Sequence, residues 1–194
     1  PYAFYFVTSV VAEKHSYYAY PSINRTAAKC GYKATRARLL FRITNYVRPQ
    51  SILTYAPCEA AVCALSMARP SVSVSAFRPG QPFGLLYVGD APERVSVVKQ
   101  AIACASQDSV IIIDAIHRSR EMENLWHEIK QNPSVAVTFD LYSMGVLFFD
   151  KNYKKQLVDA TNQKDKLQAT YERKCNKVDS LNSELSSIKK DVKA

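Results

Sequence analysis

The stretch SVIIIDAIHRSREMENLWHEIKQNPSVAVTFDLYSMGVLFF, residues 109–149, decides the fold. Val110-Ile111-Ile112-Ile113 is a short continuous apolar run, the pattern of a strand buried on both faces, and it ends on Asp114-Ala115-Ile116-His117. Arg120, Glu121 and Glu123 then precede Leu125, Trp126, Ile129 and Lys130, which is helical spacing with acids at the start, and Asn132-Pro133 stops it. Two further strand runs, Ser134–Asp140 and Gly145–Phe149, are joined by Leu141–Met144. Strand, acidic loop, helix and terminal hairpin form the back half of a doubly wound α/β sheet.

Upstream, the same alternation recurs. Ser51–Ala56 reads as a first strand, Cys58–Ala68 as an Ala-rich helix closed by Pro70, and Ser71–Phe77 as a second strand. Arg78-Pro79-Gly80-Gln81-Pro82 is a turn, Gly84–Val88 a third strand ending at Gly89-Asp90, and Pro92 opens the next helix, which carries Val95, Val97, Val98, Ile102 and Ala103. One step is irregular. Parallel neighbours need a crossover, and the eight residues from Phe77 to Gly84 cannot contain a crossover helix. Before the first strand, Ala34–Val47 is a helix with Leu39, Leu40, Phe41, Ile43 and Val47 apolar and Arg36, Arg38, Arg42 and Arg48 interleaved. The arginines read as a solvated face with snorkelling stems rather than as phosphate contacts. Residues 1–33 read as a short amphipathic helix over Tyr5–Glu13, an aromatic cluster at Tyr17, Tyr18 and Tyr20, and a loop or linker over residues 21–33.

The 194 residues carry 47% apolar side chains and a formal charge of +9, enough for one packed domain plus an appendage. Much of the charge belongs to the tail, where residues 151–194 hold eleven Lys or Arg against six Asp or Glu. In that tail Leu157, Leu167, Val178, Leu181, Leu185, Ile188 and Val192 recur at spacings that keep them on one stripe, a heptad seam weakened early by Lys164 and Lys174. The division is then 1–33, 34–153 and 154–194, with the last predicted to be one long coiled-coil-like helix that pairs with another helix. Cys30, Cys58, Cys63, Cys104 and Cys175 show no metal-ligand spacing, and their odd count suits free thiols in a reducing compartment, so a cytoplasmic location is expected. No run reaches transmembrane length. The chain opens at Pro1 rather than Met, so an initiator or a longer N-terminal piece is expected upstream.

Several of these residues together carry a family likeness. Asp108–His117, Glu121-Met122-Glu123, Trp126, Glu128-Ile129-Lys130, Asp140-Leu141, Met144-Gly145, Leu39–Arg42 with Asn45-Tyr46, and the Phe4–Tyr20 cluster resemble a class I S-adenosylmethionine-dependent methyltransferase group common in Bacteroidetes. The likeness covers most of residues 1–155 and not the heptad tail. It implies a Rossmann-like methyltransferase sheet, here truncated, because the helix, strand and helix that usually follow the second strand are collapsed into Arg78–Phe83. In this group the first strand ends in an acid and the turn E-x-G-x-x-x-G. Thr54 stands at the acid, Ala56 and Ala60 at the glycines, and Pro57 lies between them. Phe77 stands where an acid usually holds the ribose hydroxyls. Thr54, Ala56, Ala60 and Phe77 are thus the cofactor-binding positions that the resemblance implies. Asp90 resembles the acid after the fourth strand, and Asp114 with His117 the loop after the fifth.

Asp114-x-x-His117 can ligate a divalent metal or pass a proton, whereas an Asp at a strand end can simply cap the next helix. A metal needs further ligands, of which Asp90 is one candidate, and no metal site is expected. The main functional expectation is a non-catalytic or weakly catalytic methyltransferase-like scaffold, with no cofactor, that associates with another protein or with itself through the C-terminal helix. The alternative is an S-adenosylmethionine-dependent methyltransferase acting on a small-molecule hydroxyl or carboxyl group, with Asp114 or His117 orienting or deprotonating the acceptor and Asp90 helping to place it. A second alternative, nucleic-acid association, rests only on the Ala34–Arg48 arginines and the lysine-rich tail and lacks a recognised module.

Overall fold

The structure, a computed structural model, describes residues 6–152. The tail seam from Leu157 to Val192, with Lys164 and Lys174, lies outside the described residues. Six strands form one sheet: β1 (Ile52–Tyr55), β2 (Val74–Ala76), β3 (Leu85–Val88), β4 (Val110–Asp114), β5 (Val137–Asp140) and β6 (Met144–Phe148). Their order is β2-β1-β3-β4-β6-β5. The first four run parallel, and β6 inserts antiparallel between β4 and β5, as the hairpin signal requires.

Two helical layers sandwich the sheet. On one face lie α1 (Tyr20–Lys29), α2 (Ala34–Val47) and α3 (Glu59–Ala68), with a π-helical segment, Phe6–Val11. On the other lie α4 (Arg94–Cys104) and α5 (Arg120–Gln131). Strand alternation sorts the apolar residues between the layers. Val110 and Ile112 face the first layer, Ile111 and Ile113 the second. Every residue of β3, β4 and β6 is buried, which is why those strands read as unbroken apolar runs. The α5 signal is equally physical: Ser119 Oγ accepts from the Met122 amide, and Met122, Leu125, Trp126 and Ile129 form the buried stripe.

Four expectations change. Residues 20–29 are helical rather than a loop: Pro21 sits in the first turn, where a missing N–H costs nothing, and Tyr20, Ile23 and Ala27 are the buried face. The expected Tyr5–Glu13 helix is, within the described residues, a six-residue π-helical segment that buries only Phe6 and Val10. The arginines of α2 are not all solvated: Arg42 donates to the Val10 and Val11 carbonyls and to the Tyr20 hydroxyl, and Arg36 reaches Asp114. The irregular step is resolved by topology. β2 and β3 are not neighbours, since both pair with β1. The strands are so short that a return path of a dozen or so ångströms suffices, and the eight-residue loop can span up to roughly 28 Å when extended. No helix is needed. Phe77 and Phe83 in that loop meet edge-to-face at 6.2 Å and pack on the second core.

Candidate functional site

The sheet reverses its winding between β1 and β3, because β1 leads through α3 on one face and β3 through α4 on the other. Ligands of doubly wound sheets bind at the carboxyl ends of the strands beside such a point. Thr54, Ala56, Phe77, Asp90, Asp114 and His117 all lie at or just beyond those ends.

The turn after β1 is backbone-defined. Ala56 adopts φ +45, a left-handed conformation that normally selects glycine. Gly89 presses against it: its amide donates to the Tyr55 carbonyl at 2.8 Å, and a Cβ at position 89 would stand 2.1 Å from the Ala56 carbonyl oxygen. Thr54 is buried and donates its hydroxyl to the Ser75 carbonyl at 3.3 Å. Ala60 lies in the first turn of α3, fully buried in the core beneath it. Phe77 donates its amide to the Thr54 carbonyl and turns its ring toward Phe83. Glu93 (φ 63), Ala115 (φ 50) and Tyr142 (φ 62), the last in the hairpin turn beside the β4 end, are also left-handed, so four strained non-glycine residues border the carboxyl edge.

Asp114, His117 and Asp90 do not converge. Asp114 is 3% exposed and points to the α1–α3 side. Its Oδ2 accepts the Tyr32 and Tyr87 hydroxyls, each at 3.1 Å, and its Oδ1 pairs with Arg36 at 3.1 Å. Burial pushes its carboxyl above the usual range, and Arg36, the two tyrosines and the Ala115 amide pull the other way. Burial likewise drives the Tyr32 and Tyr87 hydroxyls up, so both stay donors. His117 turns to the hairpin instead: its Nε2 lies 2.9 Å from Asp140 Oδ2 and its Nδ1 3.5 Å from Glu123. For Asp140, burial is outweighed by the Tyr142 amide and by His117, which hold its carboxyl below the usual range. Asp90 is clasped by Arg94 at 2.7 Å and by Arg118. The buried Arg94 also donates to the Asp114 backbone carbonyl at 3.1 Å, so one guanidinium ties the β3 and β4 ends together. A cavity of about 340 Å³ opens beside this tie, lined among others by Asp90, Glu93, Arg94, Arg118 and Ser119.

Tyr32, Arg36, Tyr87, Arg94 and Asp140 were not singled out as site residues from the sequence. Tyr87 was within reach, because strand alternation puts it on the same sheet face as Ile112 and Asp114. Among the described residues no group of three or more His, Cys, Asp or Glu is placed to hold a metal ion, and no helix is long and apolar enough to cross a membrane.

No protein-family model matches the sequence, and no curated protein sequence is similar to it. Solved structures are similar. The SAH-bound Podospora anserina methyltransferase PaMTH1 superposes with a TM-score of 0.53 at 9% identity, over 76% of this chain and 95% of that one. A methyltransferase from Geobacter sulfurreducens gives 0.52 at 12% identity, over 71% and 92%. The likeness is one of fold: the chain has the Rossmann-like α/β sheet of these methyltransferases.

Proposed function

We propose that the carboxyl edge of the sheet binds S-adenosylmethionine and that the protein methylates a hydroxyl or carboxyl group of a small molecule. The observation that carries this reading is the left-handed Ala56 at the end of β1. A strained backbone is kept where this fold brings its chain against a ligand, although the residue is not glycine, and strain of that kind collects at functional sites. The fit at this turn rests on the backbone after Thr54, which would hold the ligand without an N–H from Pro57. It is poorer at Phe77, whose ring offers a face and no acceptor for ribose hydroxyls. The SAH-bound state of PaMTH1, a structure of the same fold, supports the reading. The ligand would supply an electrophilic methyl group. Of the chain's own groups, His117 is the proton acceptor, since Asp140 orients its ring, while Asp114 is committed to three donors and serves as a hub. Asp90, held by Arg94 and Arg118, serves to fix the end of β3.

The test is calorimetric titration with S-adenosylmethionine and SAH, followed by transfer of labelled methyl to a panel of phenols and carboxylic acids. Micromolar binding and label on an acceptor are expected. His117→Asn is expected to slow transfer by about 10²-fold or more with cofactor affinity unchanged. Ala56→Gly removes the left-handed strain and is expected to raise unfolding stability by about 1 kcal/mol in urea titration, with binding kept. A titration that yields no heat at millimolar cofactor sinks the enzyme reading.

A second reading is favoured by the saturated Asp114 and by Phe77: the fold is a non-catalytic scaffold that joins a partner protein, or a second copy, through residues 154–194. Analytical ultracentrifugation of the full chain against a chain ending at Tyr153 separates the two. Association lost with the tail supports the scaffold, and two monomers with no helical signal added by the tail refute it.

A further inference from the structure

A larger cavity, about 680 Å³, lies away from the carboxyl edge, between the π-helical segment and the end of α2. We propose that it binds a phosphate-bearing small molecule of nucleotide size. It goes beyond the methyl-transfer reading and does not depend on it. Arg36, which marks the carboxyl edge, and Arg48, which lines the cavity, are twelve residues apart on and just past one helix, or about 18 Å.

The wall chemistry argues for an oligo-anion. Among the described residues, Lys14, Arg42 and Arg48 share the lining with a single carboxylate, Glu13. That carboxylate already accepts the Tyr17 hydroxyl at 2.6 Å, a bond that, with burial, pushes the tyrosine up to about 12 and keeps it a neutral donor. Arg42 performs a second service. Its guanidinium covers the Val10 and Val11 carbonyls at 2.6 and 3.1 Å, the groups at the end of the π-helical segment that would otherwise repel an anion. The same bonds fix the segment to α2 and hold the cavity open. Lys14 and Arg48 are exposed and have no acidic partner among the described residues, so their charge is available to a ligand. Ser9, His15 and Asn45 add side chains able to donate hydrogen bonds, and the Tyr17 and Tyr46 rings add aromatic surface. Several cationic donors beside aromatic rings, in a space far larger than one phosphate, suit a nucleotide better than a simple inorganic ion.

The test uses the full chain and three probes, ADP, pyrophosphate and adenosine, titrated calorimetrically at low and moderate salt. ADP and pyrophosphate are expected to bind, more weakly as salt rises, and adenosine to bind poorly. Lys14→Glu combined with Arg48→Glu is expected to weaken ADP by at least about tenfold, with the circular dichroism spectrum and any SAH binding unchanged. The proposal is overturned if ADP gives no heat up to about 1 mM, if the double variant binds ADP as the parent does, if adenosine binds as well as ADP, or if SAH displaces ADP. The last result would place ADP at the carboxyl edge. Absence of SAH binding, by contrast, would remove the methyl-transfer reading and leave this one standing.

Discussion

Gly89→Ala is expected to cost about 3 kcal/mol or more in urea-induced unfolding and to abolish any ligand binding at the carboxyl edge. The added methyl would stand 2.1 Å from the Ala56 oxygen, 3.0 Å from the Ala56 carbonyl carbon and 3.3 Å from the Tyr55 oxygen. All three are backbone atoms, so no side chain can rotate away. β3 cannot retreat either, because the Gly89 amide is bonded to the Tyr55 carbonyl and the β1–β3 pairing runs from Ile52 to Tyr55. The left-handed Ala56 is therefore the part that must move, which joins the stability effect to the site. Two controls give the scale. Gly80→Ala has nothing within 4 Å and only a φ of +80 to oppose it, so about 1 kcal/mol is expected. Gly145→Ala would place its methyl 2.5 Å from the Trp126 ring, a buried side chain rather than backbone, and should fall between. Equal losses at positions 89 and 80 would refute the close approach of the two strand ends.

The fold was legible wherever burial leaves an unbroken signature. β3, β4 and β6 are buried on both faces and read as apolar runs; α5 has a cap, acids in its first turn and a clean stripe. α1 escaped because only three of its ten residues are buried and because Pro21 resembles a breaker, although at the first turn it is not. The β2–β3 connection escaped because periodicity reports elements and not their order in the sheet. Once both strands pair with β1, the loop needs no helix.

The site divides along the same line. The placement of Asp90, Asp114 and His117 at the carboxyl edge was legible because each stands at or just after the end of a buried strand. Their partners were not. Arg36 lies 78 residues from Asp114, Tyr32 82 and Asp140 23 from His117, and each stands in a local pattern with an adequate local explanation. An arginine between helix apolar positions looks solvated until the tertiary fold aims it at a buried carboxylate. The roles shift accordingly. The sequence pairs Asp114 with His117 through their spacing, whereas the sheet sends the two side chains to different partners.

Arg36→Ala is expected to cost about 3 kcal/mol at neutral pH, because it leaves the Asp114 carboxylate buried without a cationic partner, held by two tyrosine hydroxyls and the Ala115 amide. Arg36 is 22% exposed, so water entering beside the truncated side chain keeps the loss near the lower end of the range for broken buried pairs. The pH dependence follows from the direction of the Asp114 shift. Its carboxyl binds a proton more tightly folded than unfolded, chiefly through burial. Stability from this group is therefore greatest below the unfolded carboxylate range near 4 and falls as pH rises to the raised folded value. Removing Arg36 takes away the main force opposing burial and raises that value further, which widens the window of loss toward neutrality. The variant should approach the parent at acid pH and diverge from it as pH rises. Asp114→Asn in the Arg36→Ala background keeps an acceptor for the tyrosines without the buried charge, and should recover part of the loss and flatten the profile. Urea unfolding of the four proteins across pH 4 to 8, as a double-mutant cycle, measures the coupling directly. A loss under about 1 kcal/mol for Arg36→Ala, with a profile parallel to the parent's, would mean that water already compensates Asp114 and that the hub is held by its neutral donors alone.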